Sequence, residues 1–292
     1  MIVNQAALQG IYKTFSVLFN QAFEGASSMW PLVAMEAMSG GRSVDYKWLG
    51  DFPTMREWVG DRVIKDLSAF GYEIVNKPFE ATVSVDRDDI EDDLIGVYTP
   101  MIQGLAAAAK QHPDLLVWPL LKLGFSTLCF DGQYFFDGDH PVGDTTVSNT
   151  GGGSGEPWFL MDLSRPLKPM ILQIRKRPQF VAMDSPENPE VFMRKKFIYG
   201  VDDRKNVGFG LWQLAYGSKQ TLDATAYAAA RAAMMSFKNE NDVSLGIVPT
   251  HIVVGPTNES AGKKVVDNQF LANGASNEWY NTAKLVVVPW LA

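Results

Sequence analysis

Residues 79–122 read FEATVSVDRDDIEDDLIGVYTPMIQGLAAAAKQHPDLLVWPLLK, and this stretch carries two successive structural patterns. Apolar and polar side chains alternate from Phe79 to Val85, which predicts a half-buried β-strand. An acidic run over residues 86–93 follows, and from Val97 onward apolar side chains recur at helical spacing. Because negative charge is favourable at the positive end of a helix dipole, the acidic run predicts the start of a long helix.

Two prolines, Pro113 and Pro119, lie inside the predicted helix. Proline lacks a backbone N–H, and its ring clashes with the preceding turn, so it kinks or breaks a helix. The sequence therefore predicts either a long helix with a bend or two helices placed end to end.

The rest of the chain mixes helical and strand patterns. Apolar spacing predicts an amphipathic helix over residues 6–23 and another from Ala226 to Phe237. The predicted strands are Trp158–Leu163, Met170–Ile174, Val191–Tyr199, Gly208–Ala215, His251–Val254 and Leu285–Val288. The fold class is therefore α+β, with a small α/β unit over residues 218–292.

Two details of the last third are specific enough to test. Residues Pro256 to Leu271 are predicted to be helical, with Thr257 as the N-cap and Gly274 just past the end. The continuous apolar run Leu285–Val288 is typical of a strand that is buried on both faces.

Length and composition narrow the class of protein. The 292 residues suffice for one large domain or two smaller ones. A formal charge of −7 does not favour a dedicated DNA-binding protein, which normally has a basic face. Cys129 is the only cysteine, so no intramolecular disulfide forms, as expected in a reducing compartment. Neither a signal peptide nor a long uninterrupted apolar run occurs, and we expect a cytoplasmic protein without membrane association.

Large aromatic side chains occur in a segment that glycine and proline interrupt. Trp48, Phe52 and Trp58 lie within residues 42–78, where no long regular element is predicted. These rings either pack back on their own domain or act as anchors on a neighbouring chain. The residues alone leave both alternatives open.

The strongest catalytic candidate is the stretch FDGQYFFDGDHP, which contains Asp131, Asp137, Asp139 and His140. Carboxylates and an imidazole can bind a divalent metal that activates water, so a metal-dependent hydrolase is the alternative hypothesis. Asp-Gly and His-Pro pairs are equally typical of turns, and no second histidine lies nearby. Turn formation is the simpler interpretation.

Other motifs do not indicate chemistry. The glycine run at residues 151–155 lacks the Gly-Lys-Ser/Thr ending of a phosphate-binding loop. Cys129 lies in an apolar stretch typical of a core side chain. Basic triplets at 175–177 and 194–196 are either solvated turns or contacts to DNA or to an acidic neighbour. We therefore predict a structural or binding role, with no enzymatic activity, cofactor or metal.

Many short segments resemble the major head subunits of Mu-like bacteriophages, in order along nearly the whole chain. The segments are Trp48–Gly50, Phe52–Thr54, Glu57–Gly60, Phe79–Glu80, Arg87–Asp89, Glu91–Asp93, Asp131–Gln133, Phe135–Asp137, His140–Pro141, Ser164–Pro166, Lys168–Pro169, Tyr199–Val201, Gly208–Gln213, Pro249–Val254 and Gly274–Asn277. Each is weak alone, and their common order and spacing make the resemblance specific.

The resemblance implies the Hong Kong 97-type capsid fold and its parts. These are an N-terminal arm at about 1–40, an extended loop at about 41–78, a peripheral domain at 79–217 and an axial domain at 218–292. The peripheral domain would contain a spine helix within about 88–124. Strands at 157–217 precede the axial unit, so the order of elements differs from the better-known members of this fold.

The resemblance also implies a function and partners. Subunits of this family form hexamers and pentamers that close into an icosahedral head around double-stranded DNA, which they contact non-specifically. Implied partners are a scaffold, a maturation protease, a portal and decoration proteins. The implied contacts to an adjacent subunit are Trp48, Phe52, Trp58 and Arg62 in the loop.

Overall fold

A computed structural model describes residues 4–50 and 71–292, and within them the chain forms helices and strands in alternation. The α-helices are α1 (Gln5–Gly25), α2 (Arg87–Glu91), α3 (Thr99–Lys122), α4 (Pro189–Arg194), α5 (Ala224–Met235) and α6 (Glu259–Gly262). The strands are β1 (Ala34–Met38), β2 (Ser43–Asp45), β3 (Glu73–Val75), β4 (Lys77–Asp86), β5 (His140–Val142), β6 (Thr145–Val147), β7 (Thr150–Gly153), β8 (Trp158–Met161), β9 (Met170–Met183), β10 (Lys196–Phe209), β11 (Ala215–Lys219), β12 (His251–Val254) and β13 (Lys284–Val287). This mixture confirms the α+β class.

Two larger sheets organise the fold. The first has the order β1-β9-β10-β4, in which only the β1–β9 pair is parallel. The second has the order β13-β12-β8-β11-β7, with parallel pairs at both edges. Strands that precede residue 218 and strands that follow it therefore share the second sheet.

The long helix α3 connects two hydrophobic cores. Its first half places Ile102 and Leu105 in a core with α1, β4 and β10. Its second half places Trp118 and Leu121 in the larger core, which includes the five-stranded sheet. Because its two halves are buried in different cores, α3 connects the four-stranded sheet to the five-stranded sheet.

Both prolines lie inside a single α-helix, so the expectation of two helices end to end is wrong. Pro113 is buried, and the adjacent Asp114 carboxylate accepts hydrogen bonds from the backbone N–H groups of Met29 (3.0 Å) and Trp30 (2.6 Å). Its Oδ1 also accepts one from the Trp118 indole at 3.0 Å. Packing and these bonds hold the helix where backbone bonding alone would be weakened.

The acidic run does start a helix, but a short one. Asp86 caps α2 by accepting a hydrogen bond from the Asp88 backbone N–H at 3.0 Å. Asp93 then adopts a positive φ of 60°, and α3 begins only at Thr99. The long helix α3 therefore lies within the range of about 88–124 predicted for the spine helix, and the acidic run begins the short helix α2 that precedes it.

Most of the remaining predicted elements are confirmed, including α1, α5, β4 and β12. The predicted strand Val191–Tyr199 is wrong at its start, which forms α4. Asn188 caps that helix and Pro189 occupies its first turn, an Asn-Pro signal that favours a helix start.

The helix predicted for residues Pro256 to Leu271 is shorter and less regular than expected. Thr257 lies in a 3-10 turn and is not an N-cap, and a π-helix over Lys263–Asp267 ends the element. The Asn277 side chain donates to the backbone carbonyls of Val265 (2.9 Å) and Asn268 (2.8 Å). These bonds satisfy carbonyl groups that the end of the helix leaves free.

The final strand is not buried on both faces. It lies at the edge of the five-stranded sheet, and Leu285 and Val287 are only partly buried. Among the helices that the structure describes, none is both long and apolar enough to cross a membrane.

Candidate functional site

The predicted loop at 41–78 begins and ends on a two-stranded antiparallel ribbon. Strands β2 and β3 pair in the register Ser43 with Val75 and Asp45 with Glu73. The chain therefore leaves and re-enters the domain along one ribbon.

A buried polar network fixes the base of this ribbon to the four-stranded sheet. Tyr46 donates its hydroxyl to Oε1 of Gln173 at 2.9 Å. The Gln173 amide nitrogen donates to the Ile74 carbonyl and to Oδ1 of Asn76, both at 2.9 Å. Asn76 in turn donates to Oγ of Ser39 at 2.9 Å. Each group has a partner, so the network can be buried without an unsatisfied amide.

The ribbon also approaches β10 very closely. Tyr72 accepts a hydrogen bond from the Phe209 backbone N–H at 2.8 Å. A Cβ added at Gly208 would overlap the Ile74 side chain, lying 2.8 Å from its Cγ1. Gly208 is therefore required for the ribbon to rest on the sheet.

The loop residues expected to touch a neighbour divide into two groups. Trp48 is partly buried, packs against the larger core and forms an edge-to-face pair with Tyr46 at 6.3 Å. Phe52, Trp58 and Arg62 lie outside the described residues. The neighbour-contact hypothesis stays a prediction for all four.

Of the four candidate hydrolase residues, only Asp131 and His140 come together. Asp131 and His140 form a buried pair at 2.7 Å, from Nδ1 to Oδ2. The Asp137 carboxylate instead accepts from the backbone N–H groups of Tyr134 and Gly138, as in a local turn, and Asp139 is exposed. The four-residue site is therefore wrong, and the turn interpretation is right for Asp137.

Both ring nitrogens of His140 have hydrogen-bond partners in this buried environment. Nδ1 lies 2.7 Å from Oδ2 of Asp131, and Nε2 lies 3.1 Å from Oδ1 of Asn149. The Asn149 amide nitrogen donates to the Phe135 carbonyl at 2.8 Å, which fixes the orientation of that amide. The His140 ring also stacks on Trp212, with ring centroids 4.0 Å apart.

Cys129, Asp131 and His140 form a cluster of side chains of the types that bind metals, but their hydrogen bonds and the protonated Cys129 thiol do not suit a metal. Its thiol donates to Asp131 Oδ1 at 3.0 Å, and burial raises the thiol pKa far above its usual range. Burial alone would raise the Asp131 pKa, but the hydrogen bonds from His140 and Cys129 hold it below its usual value. A metal needs a thiolate and a free imidazole nitrogen, whereas the raised pKa keeps the Cys129 thiol protonated and both His140 nitrogens already have partners. The hydrogen bonds of this cluster connect the two ends of loop 128–149. No local feature of the sequence indicates the contact between His140 and Asn149.

The basic triplets contact acidic side chains of the same chain. Lys176 pairs with Asp202, and Arg177 with Glu36. At the other triplet Arg194 pairs with Glu190 at 3.0 Å and Lys195 with Asp88 at 3.3 Å. Contacts within the fold therefore account for four of these side chains.

This chain is similar to known proteins along nearly its full length, in both sequence and structure. The family model described as Mu-like prophage major head subunit gpT matches residues 8–291. The major capsid protein of Escherichia phage Mu is 39% identical over 306 residues, covering 100% of both chains. A chain in the procapsid of bacteriophage JBD30 is 43% identical with a TM-score of 0.90, covering 99% of this chain and 100% of that one. A chain in the JBD30 capsid decorated with minor capsid protein trimers is 34% identical with a TM-score of 0.78, covering 91% and 92%. The chain therefore belongs to the family of Mu-like prophage major head subunits.

Proposed function

We propose that this chain assembles as hexamers and pentamers into an icosahedral head that encloses double-stranded DNA. The chain is a major capsid protein, a structural component of the virion and not an enzyme. The observation that carries the proposal is the full-length agreement, in both sequence and fold, with a chain that forms a phage procapsid.

We infer the following domain organisation of the subunit. Residues 1–40 form the arm, 41–78 the extended loop and 79–217 most of the peripheral domain, with α3 as its spine helix. Residues 218–292 form the axial domain together with β8 and β11, because those strands pair with each other and β8 pairs with β12. The four-stranded sheet and α1 then belong with the spine helix.

We propose that the extended loop contacts an adjacent subunit through Trp48, Phe52, Trp58 and Arg62. Anchoring of the loop base by Tyr46 and Gln173 supports this, since a fixed base reduces the conformational entropy that a contact must overcome. The part of Trp48 that its own core leaves exposed is available to such a contact.

The proposed partners are a scaffold, a maturation protease, a portal and decoration proteins, with assembly in the bacterial cytoplasm. The decorated JBD30 capsid, whose chain has this fold, supports a decoration partner. The formal charge of −7 favours only weak, non-specific contact with packaged DNA, because tight phosphate binding requires clustered basic side chains.

Sedimentation velocity of the chain coexpressed with the other head proteins of its phage tests the proposal. The expected result is a fast fraction that contains the chain and that appears as closed shells by negative-stain microscopy. A chain that sediments as a monomer while shells form from other polypeptides would contradict it.

A further inference from the structure

Asn273 and Gly274 are the only Asn-Gly pair in the sequence, and they lie at the tip of a short hairpin. The backbone N–H of Leu271 donates to the Ala275 carbonyl at 2.8 Å, and the N–H of Gly274 donates to the Leu271 carbonyl at 2.9 Å. Gly274 has a φ of 81°, as the last residue of a three-residue hairpin loop does. Both Asn273 and Gly274 are exposed to solvent.

The Asn273 side chain is held beside the backbone of the residue that follows it. Its Oδ1 accepts a hydrogen bond from the Ala275 backbone N–H at 3.1 Å, so the carboxamide lies alongside Gly274. Because Gly274 has no side chain, nothing on that residue obstructs the approach of its nitrogen to Cγ of Asn273. Such an attack would place negative charge on Oδ1, where the Ala275 N–H already donates.

A second hairpin has the same backbone geometry but no glycine at its tip. The N–H of Asn239 donates to the Val243 carbonyl at 2.9 Å, and the N–H of Asp242 donates to the Asn239 carbonyl at 3.0 Å. Asp242 has a φ of 61°, and the preceding Asn241 is exposed. The N–H of Val243 donates to Oδ1 of Asn239 at 3.0 Å, whereas the equivalent N–H in the first hairpin donates to the asparagine at the tip.

The two hairpins therefore place an exposed asparagine before a left-handed residue and differ in what surrounds its carboxamide. At the second tip, the Cβ and the carboxylate of Asp242 crowd the attacking nitrogen and repel the hydroxide that must remove its proton. Asn241 is thus an internal control for Asn273.

We propose that Asn273 is a site of spontaneous deamidation, with water as the second reactant. Hydroxide removes the proton of the Gly274 N–H, the nitrogen bonds to Cγ of Asn273, and the Cγ–Nδ2 bond breaks to release ammonia and leave a cyclic imide. Water then adds to one of the two imide carbonyls and opens the ring. Opening at Cγ gives aspartate, and opening at the main-chain carbonyl gives isoaspartate. Asparagine and water thus become one of these two residues and ammonia, without oxidation or reduction.

The hydrogen bond from Gly274 to Leu271 slows the reaction in the folded chain. The Gly274 nitrogen must leave the Leu271 carbonyl before it can attack. Residues 271–276 are all exposed, so this opening is local and does not require global unfolding. We therefore expect the native chain to react, and the chain unfolded in urea to react faster.

The modification changes both the charge and the backbone of the hairpin. Each conversion adds one negative charge to the formal −7 of the chain. Isoaspartate also lengthens the main chain by one carbon, close to Asn277. The Asn277 side chain donates to the Val265 carbonyl at the end of the π-helix, so the altered loop lies beside that contact.

Peptide mapping by mass spectrometry measures the reaction at each asparagine. The purified full-length chain is incubated at pH 8, in native buffer and in urea, and the fraction converted is followed with time. In native buffer Asn273 should convert at least tenfold faster than Asn241 and should give both aspartate and isoaspartate. Equal rates at the two residues, no conversion of Asn273, or aspartate without isoaspartate would overturn the proposal.

Two reciprocal substitutions isolate the role of the left-handed residue. Gly274→Asp should slow the conversion of Asn273 at least tenfold, and Asp242→Gly should accelerate that of Asn241. Both positions are exposed, and a Cβ added at Gly274 meets no atom within 4 Å. Thermal unfolding checks that both variants fold. Unchanged rates in both variants would overturn the assignment of Gly274 as the attacking residue.

Discussion

The hydroxyl of Tyr46 donates a 2.9 Å hydrogen bond to Oε1 of Gln173, although the two residues lie 127 positions apart. Both side chains are buried, and the bond joins the start of the extended loop to the centre of the four-stranded sheet. Burial raises the pKa of Tyr46 to about 12, so the hydroxyl remains a donor at neutral pH. The loop base is thereby part of the folded domain.

Tyr46→Phe tests this anchoring. The substitution removes the hydroxyl group and leaves the buried Oε1 atom of Gln173 without a hydrogen-bond donor. This loss should lower the free energy of unfolding by about 1–3 kcal/mol. Urea unfolding measures the change. Tyr280→Phe is the control, since Tyr280 is 46% exposed, and it should be nearly neutral. Equal effects of the two substitutions would argue against a role of the Tyr46 bond.

Gly208 and Gly104 form an informative pair. Gly208→Ala places a Cβ against the Ile74 side chain. Because this overpacks the contact, the free energy of unfolding should fall by about 1–3 kcal/mol. Gly104 lies in α3 with no atom within 4 Å of an added Cβ. Gly104→Ala should therefore stabilise by about 0.5–1 kcal/mol through helix propensity. Thermal unfolding checks the opposite signs, and a neutral Gly208→Ala would refute the close approach of the ribbon.

The sequence predicts elements better than it predicts long-range contacts. The alternation from Phe79 to Val85 predicts β4 because side-chain period is a local property. The continuity of α3 through Pro113 could not be predicted, because it depends on Asp114 bonding to Met29 and Trp30, far away in sequence. The Asp-Gly turns likewise gave no sign that His140 would meet Asn149 and Trp212.

His140→Ala tests the buried hydrogen bond between His140 and Asp131. Removing the imidazole leaves the buried Asp131 carboxylate without this hydrogen-bond partner, which should lower the free energy of unfolding by about 1–3 kcal/mol. Asp139→Ala, at an exposed position in the same loop, should change stability by less than about 0.5 kcal/mol. The stabilities of the two variants are compared by their midpoints of denaturant unfolding. Similar midpoints would show that the cluster does not hold the loop.

The pH dependence of stability depends on His112. Burial, followed by the charge of Lys205, lowers the folded-state pKa of this ring, so the unfolded chain takes up a proton first as the pH falls. Stability should therefore be lost as the pH falls through about 6.5, the ordinary histidine value. His112→Gln removes this contribution while His251 remains. The stability of wild type relative to the variant should fall between pH 7.5 and 5.5 in urea unfolding, and a constant difference would contradict the assignment.

Trp58→Ala tests the proposed contact of the extended loop with an adjacent subunit. The variant should unfold at nearly the wild-type temperature as a free subunit, but should give several-fold fewer shells by sedimentation, because aromatic anchors dominate interface energy. Trp58→Phe, which keeps an aromatic ring, should recover most of the yield. An unchanged shell yield in Trp58→Ala would remove this residue from the interface.

The most direct test of the assembly function is a cryo-electron microscopy reconstruction of the heads formed when this chain is coexpressed with its head partners. We expect an icosahedral shell of hexamers and pentamers in which the density follows this chain, with α3 and both sheets recognisable in every subunit. A shell built from a different polypeptide, with this chain absent from the lattice, would contradict it.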